Sequence, residues 1–153
     1  DVKWFFAIDL CQVFLSVSFV KESRYFSALR FFNVVFTWCS VFQKYAESPS
    51  IFNKILKRNI ESLVLPEQSV PVKYSDDLLD ESQTKEACQV GTIVLLNNLA
   101  DCGHKVSPSK LQHCQQRVLY LGHYLEEGVR KMPQERVNIV LEIDLPQTQK
   151  EVR

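Results

Sequence analysis

The sequence predicts an α+β fold in which helices cover one face of a mainly antiparallel sheet. Runs of aromatic and branched residues alternate with long segments of helical periodicity, and this interleaving is typical of such folds. At 153 residues the chain is long enough for one ordinary domain with a real core. We therefore expect one domain, or a piece of one, whose second sheet face is open to a ligand.

The first predicted strand covers residues 3–9, where aromatic and branched side chains continue without a break until Asp9. An uninterrupted apolar run of this length predicts a strand that is buried on both faces. Residues 25–38 have the highest aromatic density of the chain and predict one or two further strands, separated near Asn33.

The first helix is predicted to open at Ser48, as the N-cap, with Pro49 at the first helical position. Apolar residues then recur at three- and four-residue spacings, which gives the segment one apolar face. Three basic residues fall on the other side and predict a solvated face, with a template contact as the alternative: Lys54, Lys57 and Arg58.

Two more helices are predicted further along the chain. Thr84 is expected to cap the second helix, which carries a broad apolar face and stops at Gly103. Pro133 starts the third helix and Pro146 ends it, because proline is tolerated in a first turn but breaks a helix interior.

Two hairpins are predicted between and after these helices. Residues 70–74 alternate apolar and polar side chains as a half-buried strand does, and the chain then returns with Ser75 and Asp76 at the tip. A short strand around residues 104–106 and a hairpin through residues 118–125 complete the predicted sheet.

Charge and cysteine content limit the classes of function. With 18 basic and 18 acidic residues the formal net charge is zero, which argues against this segment holding nucleic acid by itself, since phosphate neutralisation supplies most non-specific affinity. The five cysteines are irregularly spaced and predict reduced thiols and an intracellular, cytoplasmic location. A zinc site is an alternative that four side chains leave open, although their spacing matches no common zinc module: Cys102, His104, His113 and Cys114.

Residues 4–20 form an apolar stretch of nearly membrane-spanning length, yet the stretch contains Asp9 and Gln12. A charge in the middle of a span is costly. We therefore expect a buried strand followed by a second element, and no association with a membrane.

Three carboxylates form the most informative pattern in the chain. Asp76 and Asp77 are adjacent in a strand-like context, where like charges repel and raise each other's pKa unless a cation lies between them. Asp9 interrupts a run that would otherwise be continuous core. These acids predict a divalent-metal site of the kind that two-metal nucleotidyl transfer needs.

Three motifs in order carry a resemblance to a known family. Residues 7–14 (AIDLCQVF) are similar to a metal motif that typically reads LDLKDAFF, residues 38–49 (WCSVFQKYAESP) to WxxLPQGFxxSP, and residues 74–79 (YSDDLL) to YVDDLL. The chain thus resembles the palm of a retroviral-type reverse transcriptase, in particular the gammaretrovirus-like polymerases of endogenous retroviruses. The match continues downstream in three further segments: residues 88–92, 107–110 and 120–128.

The resemblance implies a polymerase palm with a ferredoxin-like βαββαβ core, a truncated fingers insertion and the start of a thumb. By it, residues 1–14 and 48–128 are palm, residues 15–47 are a fingers remnant with the template-grip motif, and residues 129–153 are the palm-to-thumb connection. The chain starts without Met and ends on a helix-like pattern without a terminator. We therefore expect a fragment of a longer polymerase polyprotein.

The resemblance also implies catalytic roles. Asp9 and Asp76 would bridge two Mg²⁺ ions, with Mn²⁺ as a possible substitute, and Asp77 would lie beside them and shape the site. Lys110 matches the lysine that protonates the departing pyrophosphate. The reaction would be the addition of deoxynucleotides to a primer 3′-hydroxyl.

Binding residues are implied in the same way. Phe14 matches the aromatic gate that excludes a ribose 2′-hydroxyl, with an ordinary core phenylalanine as the alternative, and Leu10 and Gln43 are the other expected nucleotide-binding residues. The implied partners are an RNA or DNA template, a DNA primer and deoxynucleoside triphosphates. Six residues are expected to contact primer and template, the last four as the primer grip: Tyr74, Ser75, Tyr120, Leu121, Gly122 and His123.

Two departures from the family pattern leave a second interpretation open. Lys44 stands where the pattern has glycine, and Gln12 stands where it has a second acid. The alternative to a polymerase fragment is therefore a catalytically inactive endogenous-retrovirus relic, or a repurposed palm fold that binds nucleic acid or protein. A nuclease or nucleotide cyclase with a similar palm is a third possibility, against which Gln43 and the primer-grip match count.

Overall fold

The computed structural model of the chain describes residues 4–66, 71–143 and 147. Within those residues the chain forms ten strands and three α-helices. The strands are β1 (Trp4–Cys11), β2 (Leu29–Phe31), β3 (Val34–Phe36), β4 (Val72–Tyr74), β5 (Asp77–Ser82), β6 (Lys105–Val106), β7 (Gln112–Gln115), β8 (Arg117–Tyr120), β9 (His123–Glu126) and β10 (Val129–Lys131). The helices are α1 (Ser48–Glu61), α2 (Lys85–Asp101) and α3 (Gln134–Leu141), and short 3₁₀ turns cover Lys21–Ser27 and Pro108–Lys110.

The predicted α+β architecture is confirmed, with β1 as the central strand of a five-stranded antiparallel sheet. β5 pairs along one edge of β1, from Trp4 opposite Ser82 to Asp9 opposite Asp77, and β4 lies outside β5. β6 and β7 share the other edge of β1. The remaining strands form a three-stranded sheet, β8–β9–β10, and a two-stranded sheet, β2–β3.

The side chains of β1 alternate between two apolar clusters, as the period of a strand requires. Phe6, Ile8 and Leu10 join the main core, which α1 and α2 supply with Phe52, Leu56, Leu95 and Leu99. The opposite face carries a smaller buried cluster: Phe5, Ala7, Leu79 and Val118. Because Val118 comes from β8, the β8–β9 hairpin covers much of the face that was expected to be open.

The first helix follows the prediction except at its start. Glu47 occupies the N-cap position and Ser48 is the first helical residue. Ser48 is buried, so its hydroxyl needs a partner, and it donates to the Phe42 carbonyl at 2.7 Å instead of capping the helix. The basic residues expected on a solvated face are exposed: Lys54, Lys57 and Arg58.

The second helix begins and ends where the sequence predicts. The Thr84 hydroxyl accepts from the Ala87 amide at 3.1 Å, which confirms the cap. Just beyond the helix, Gly103 has a φ of 78°, a left-handed conformation that glycine adopts without strain. One side of the helix packs on the sheet through its buried residues: Cys88, Gly91, Thr92, Leu95 and Leu99.

The aromatic segment forms the β2–β3 hairpin, with the predicted break at Asn33. Phe32 and Asn33 make the turn, with φ values of 45° and 60°. Every residue of both strands is exposed, and residues 25–27 belong to a 3₁₀ turn rather than to a strand. Aromatic density therefore predicted the strands but not their environment.

Some elements differ from the prediction. The strands β7 and β10 were not predicted, because the first has the polar sequence QHCQ and the second is exposed throughout. The third helix starts after Pro133 as expected. Val70 and Pro146, which the prediction used for a strand start and a helix end, lie outside the described residues. In the part of the chain that the structure describes, no helix has the length and apolar character to cross a membrane.

Candidate active site

Asp9 and Asp77 face each other at the end of the β1–β5 strand pair. They are direct partners in its register, and both are half-buried. The pKa of Asp77 is raised, first by burial and then by the charges of Asp76 and Asp9, with a side-chain hydrogen bond to Asp9 adding to the effect. The structure thus places two of the predicted acids together as a repelling pair, and a cation would relieve that repulsion.

Asp76 lies at the predicted hairpin tip between β4 and β5. Ser75 before it has a φ of 54°, in the left-handed region. The Asp76 carbonyl accepts from the Leu10 amide at 2.9 Å, and this hydrogen bond joins the tip to β1. Asp9 and the adjacent pair Asp76 and Asp77, which lie far apart in the sequence, are therefore located at the same end of the central sheet.

Lys110 occupies the position of a counter-ion at this site. Its Nζ lies 2.8 Å from Asp9 Oδ2, and the contact with Asp9 raises the pKa of the lysine. The carboxylate oxygens suit a hard divalent cation such as Mg²⁺. As they are placed, however, no three His, Cys, Asp or Glu side chains within residues 4–66 and 71–143 are grouped to hold a metal ion. The Lys110 ammonium instead provides the positive charge beside Asp9.

A cleft of about 270 Å³ brings together the residues predicted to bind the nucleotide. Phe14 forms part of its wall and also packs edge-on against Phe52, with 6.1 Å between the ring centres. Both interpretations of Phe14, gate and core residue, are therefore compatible with its position. The predicted site residues that line the cleft come from three segments: Leu10, Phe14, Gln43, Ser75 and Asp76.

A second cavity, of about 360 Å³, lies between the acid pair and the β8–β9 hairpin. Its lining includes Asp9, Asp77 and Lys110 together with Tyr120 and Leu121 of the predicted primer grip. Burial, and then the charge of Asp77, raise the pKa of Tyr120. Its hydroxyl is buried and has no hydrogen-bond partner among the described residues, so this oxygen would have to move to contact a ligand in the cavity.

The other predicted primer residues do not line this cavity. Gly122 forms the hairpin turn together with Leu121, and His123 is the first residue of β9. Tyr74 lies on the outer strand β4 and directs its side chain to solvent, with 62% of its surface exposed.

Gln112 is a site residue that sequence reasoning missed. Its side-chain amide donates to the Leu119 carbonyl and accepts from the Leu119 amide, both at 2.7 Å. The side chain therefore acts as a strand partner that holds β8 beside the acid pair. A glutamine in a polar segment carries no sequence signal of such a role.

His104 links the helices to the loop that carries Phe14. It is buried, and it accepts from Asn59 Nδ2 at 3.0 Å through Nε2, so its Nδ1–H donates to Ser16 Oγ at 3.2 Å. Ser16 in turn donates to the Val13 carbonyl at 2.7 Å. Burial lowers the pKa of His104, which favours the neutral ring that this chain of hydrogen bonds needs. One of the four candidate zinc ligands is therefore engaged in a different role.

Both departures from the family pattern lie at backbone positions of positive φ. Lys44 has a φ of 69° and Gln12 a φ of 53°. Glycine adopts this conformation at little cost, whereas a residue with a Cβ is strained in it. The backbone conformation at position 44 is therefore one reason why the family pattern has glycine there.

Comparison with known proteins agrees with these features. Residues 1–125 match the model of a family described as reverse transcriptase (RNA-dependent DNA polymerase). Over its full length the chain is 36% identical to the Gag-Pol polyprotein of walleye dermal sarcoma virus and 34% identical to the Pol polyprotein of feline endogenous virus ECE1. It spans 9% and 15% of the length of those two proteins.

Solved structures share the fold. A foamy viral protease-reverse transcriptase in complex with an RNA/DNA hybrid matches with a TM-score of 0.81 and 22% identity, over 98% of this chain and 20% of that one. A second structure, of the form in complex with double-stranded DNA, matches with a TM-score of 0.83 and 22% identity, over 98% of this chain and 26% of that one. With the family model and the full-length relatives, the ordered motifs lead to one conclusion: the chain is part of a reverse transcriptase domain and belongs to the reverse transcriptase family, of the retroviral type.

Proposed function

We propose that the chain forms the palm of an RNA-directed DNA polymerase, which adds deoxynucleotides to a primer 3′-hydroxyl and releases pyrophosphate as part of a longer polymerase. In this proposal residues 1–14 and 48–128 belong to the palm, residues 15–47 to a fingers remnant, and residues 129–153 to the connection with a thumb. The relatives are polyproteins of which the chain spans a small share, which supports a polymerase built from further segments.

One observation carries the proposal. Asp9 and Asp77 line the cavity of the predicted primer grip, and the neighbouring Asp76 lines the cleft of the predicted nucleotide-binding residues. Transfer of a nucleotide to a primer end needs these three parts side by side, because fixed orientation of the reactants supplies much of the rate.

The acids and the lysine have separate roles in this proposal. Asp9, Asp76 and Asp77 would hold two Mg²⁺ ions, or Mn²⁺, which when bound lower the pKa of the primer hydroxyl and neutralise the triphosphate. Lys110 leaves Asp9 when the site is filled and donates a proton to the departing pyrophosphate. Lys110 and Asp9 line the same cavity, so the ammonium could move from the carboxylate to the pyrophosphate without leaving it.

The binding residues divide between the two reactants. Phe14 occupies the space that a ribose 2′-hydroxyl would need, while Leu10 and Gln43 position the incoming nucleotide. Six residues contact the primer and template in this proposal: Tyr74, Ser75, Tyr120, Leu121, Gly122 and His123.

The proposed partners are an RNA or DNA template, a DNA primer and deoxynucleoside triphosphates. Two solved structures with this fold contain the foamy viral protein in complex with an RNA/DNA hybrid and with double-stranded DNA. Since the chain has no net charge, most of the affinity for phosphate would come from other segments of the polymerase. A cytoplasmic location remains a prediction.

The contact between Lys110 and Asp9 favours a second candidate function, a catalytically silent palm fold. An ammonium 2.8 Å from Asp9 Oδ2 satisfies that carboxylate without a metal ion. Lys44 also places a long side chain where the family pattern has glycine. Such a protein would bind nucleic acid or another protein without turnover.

Titration with divalent cations tests the metal site in the chain itself. Mg²⁺ or Mn²⁺ should shift the amide NMR signals of Asp9, Asp76 and Asp77, and Asp76→Asn should weaken the response. Asp101→Asn removes an exposed carboxylate at the end of α2 and is the matched control, expected to respond as the wild type does. Signals that stay unmoved at all three acids would contradict the site.

Primer extension separates the two candidate functions. In a longer polymerase that contains this chain, we expect extension of a primer on a poly-rA template, lost in Asp76→Asn and retained in Asp101→Asn. Absence of extension in the wild-type polymerase, with or without metal binding, would instead support the silent palm fold.

A further inference from the structure

Side chains hold both carbonyl groups of the β8–β9 turn. Leu121 and Gly122 form a two-residue loop with φ values of 49° and 73°. Arg136 Nη1 donates to the Gly122 carbonyl at 3.3 Å, and His123 Nδ1 lies 3.0 Å from the Leu121 carbonyl. The turn within the predicted primer grip is therefore held by side-chain contacts in addition to its own backbone hydrogen bonds.

Arg130 determines which nitrogen of the His123 ring carries the proton and donates to the turn. Its Nη2 makes its shorter contact with the ring at Nε2, at 2.9 Å, against 3.3 Å to Nδ1. A guanidinium only donates, so Nε2 accepts and the ring proton lies on Nδ1, where it is donated to the Leu121 carbonyl. Arg130 therefore acts on the turn through His123.

The absence of a side chain at Gly122 makes room for Arg136. A Cβ at this position would come within 2.5 Å of Arg136 Nη1, so the guanidinium would have to move. The guanidinium thus packs directly on the turn and does not merely lie near it. The positive φ is a second reason for glycine here.

The two arginines come from elements that lie outside both apolar clusters. Arg130 belongs to β10, whose residues are all exposed, and the residues of α3, which carries Arg136, are exposed or half-buried. Helix α3 borders the hairpin across a cavity of about 370 Å³, which Gly122 and Tyr124 line from the other side. Contacts with the β8–β9 hairpin therefore tie this segment to the rest of the chain.

We propose that Arg136 and Arg130 are positioning residues that fix the carbonyls of Leu121 and Gly122 and so set where the grip holds the primer 3′ end. The inference rests on the proposed polymerase function and adds to it. Both arginines act through the turn rather than on the reacting atoms. Because they follow the grip in the chain, they couple the orientation of the segment β10–α3 to the position of the primer.

Amide hydrogen exchange in the 153-residue chain tests the bracing of the turn without nucleic acid. Arg136→Met removes the donor but keeps a long side chain, and we expect about threefold to tenfold faster exchange at residues 121–123, the range for one lost hydrogen bond. Arg130→Met should act on the same amides. Arg58→Met, which removes an exposed charge on α1, is the control and should leave them unchanged. Unchanged exchange at residues 121–123 in both Arg136→Met and Arg130→Met would overturn the inference.

Binding of a primer–template duplex by a longer polymerase that contains this chain, measured at several salt concentrations, distinguishes positioning from a phosphate contact. For Arg136→Met we expect about threefold to tenfold weaker binding with an unchanged salt dependence, whereas a lost phosphate contact lowers the slope of log affinity against log salt by about one. A lowered slope, or faster exchange with unchanged affinity, would overturn the positioning role. If the wild type does not bind the duplex but exchange changes as expected, the bracing stands and the proposed function of the chain fails.

Discussion

The hairpins β2–β3 and β8–β9 have similar turns and opposite environments. Each turn consists of two residues with positive φ, Phe32 and Asn33 in the first and Leu121 and Gly122 in the second. The strands of β2–β3 are exposed throughout, whereas Val118 of β8 is fully buried against the central sheet. Local turn chemistry is therefore enough to form a hairpin, but docking depends on what the central sheet supplies.

Two kinds of contact dock β8–β9: the apolar contact of Val118 and the paired hydrogen bonds of Gln112. The β2–β3 hairpin carries many large apolar side chains, but its strands are exposed and the side chains are not buried against the central sheet. Some of them contact one another instead: the ring centres of Phe31 and Phe32 are 4.5 Å apart. An isolated two-stranded hairpin is at best marginally stable in water. We therefore expect β2–β3 to open more easily than β8–β9.

The largest expected effect comes from a charge placed under the docked hairpin. Val118→Asp should lower the free energy of unfolding by about 3 kcal/mol or more, since an unpaired buried charge is among the costliest single changes. Val35→Asp makes the same change in β3 at a side chain that is 67% exposed, and should stay within about 0.5 kcal/mol of the wild type. Denaturant unfolding measures both values, and equal losses would contradict the difference in docking.

The next effect concerns the polar contact. Gln112→Ala leaves the Leu119 amide and carbonyl without their side-chain partner, and we expect a loss of about 1–2 kcal/mol in unfolding free energy. Gln116→Ala, at an exposed glutamine between β7 and β8, is the control. Exchange of the Leu119 amide should accelerate only in the first variant. If it does not, apolar contact alone docks the hairpin.

Sequence patterns predicted the elements better than their docking. The cap at Thr84 and the hairpin tip at Ser75 depend on local chemistry, and the structure has both. The exposure of β2–β3 was not predictable, because aromatic residues favour a strand whether it meets a core or solvent. Gln112 and the Ser48 hydroxyl were missed or misassigned because their partners lie in other segments and leave no periodic signal.

The candidate site shows the same division. Motif order predicted which residues the structure places together, Asp9 with Asp77 and Phe14 with Gln43. It did not predict that Lys110 contacts Asp9, since that ion pair depends on how the 3₁₀ turn Pro108–Lys110 is held against β1. Spacing within a motif encodes a local arrangement, whereas contacts between motifs require the fold.

A smaller effect is expected from the acid pair beside the docked hairpin. Asp77→Asn removes the repulsion by Asp9 and Asp76, so it should raise the free energy of unfolding at pH 7 by up to about 1 kcal/mol, the scale for like charges directly opposite on a sheet. Its control is Asp101→Asn, at an exposed acid, which should change little.

The effect of Asp77→Asn should also depend on pH. The pKa of Asp77 is raised in the folded protein, so the folded state binds this proton more tightly than the unfolded chain does. As the pH falls from the raised value towards the ordinary 3.8, protonation stabilises the wild type and the advantage of the variant disappears. Unfolding curves across this pH range measure the difference in unfolding free energy between the variant and the wild type. A difference that grows as the pH falls would contradict the repulsion.

The smallest effect compares the turns themselves. Phe32 and Leu121 are both in the left-handed region, which asparagine tolerates better than most residues. Replacing either one by Asn should raise stability by about 0.5 kcal/mol, a part of the roughly 1–2 kcal/mol that this geometry costs an ordinary residue. Thermal unfolding of Phe32→Asn and Leu121→Asn should give similar gains. A gain in only one hairpin would show that the two turns are not equivalent.

The alternation along β1 makes the chain sensitive to length in one short region. Loss of a single codon within residues 5–8 would move every later side chain of the strand to the opposite face. Asp9 would then enter the apolar layer beneath the helices, and Leu10 would lie opposite Asp77. The same deletion within residues 29–36 would spare both clusters, because that hairpin contributes to neither. A genome that carries this segment can therefore exchange apolar residues in β1 more safely than it can lose one.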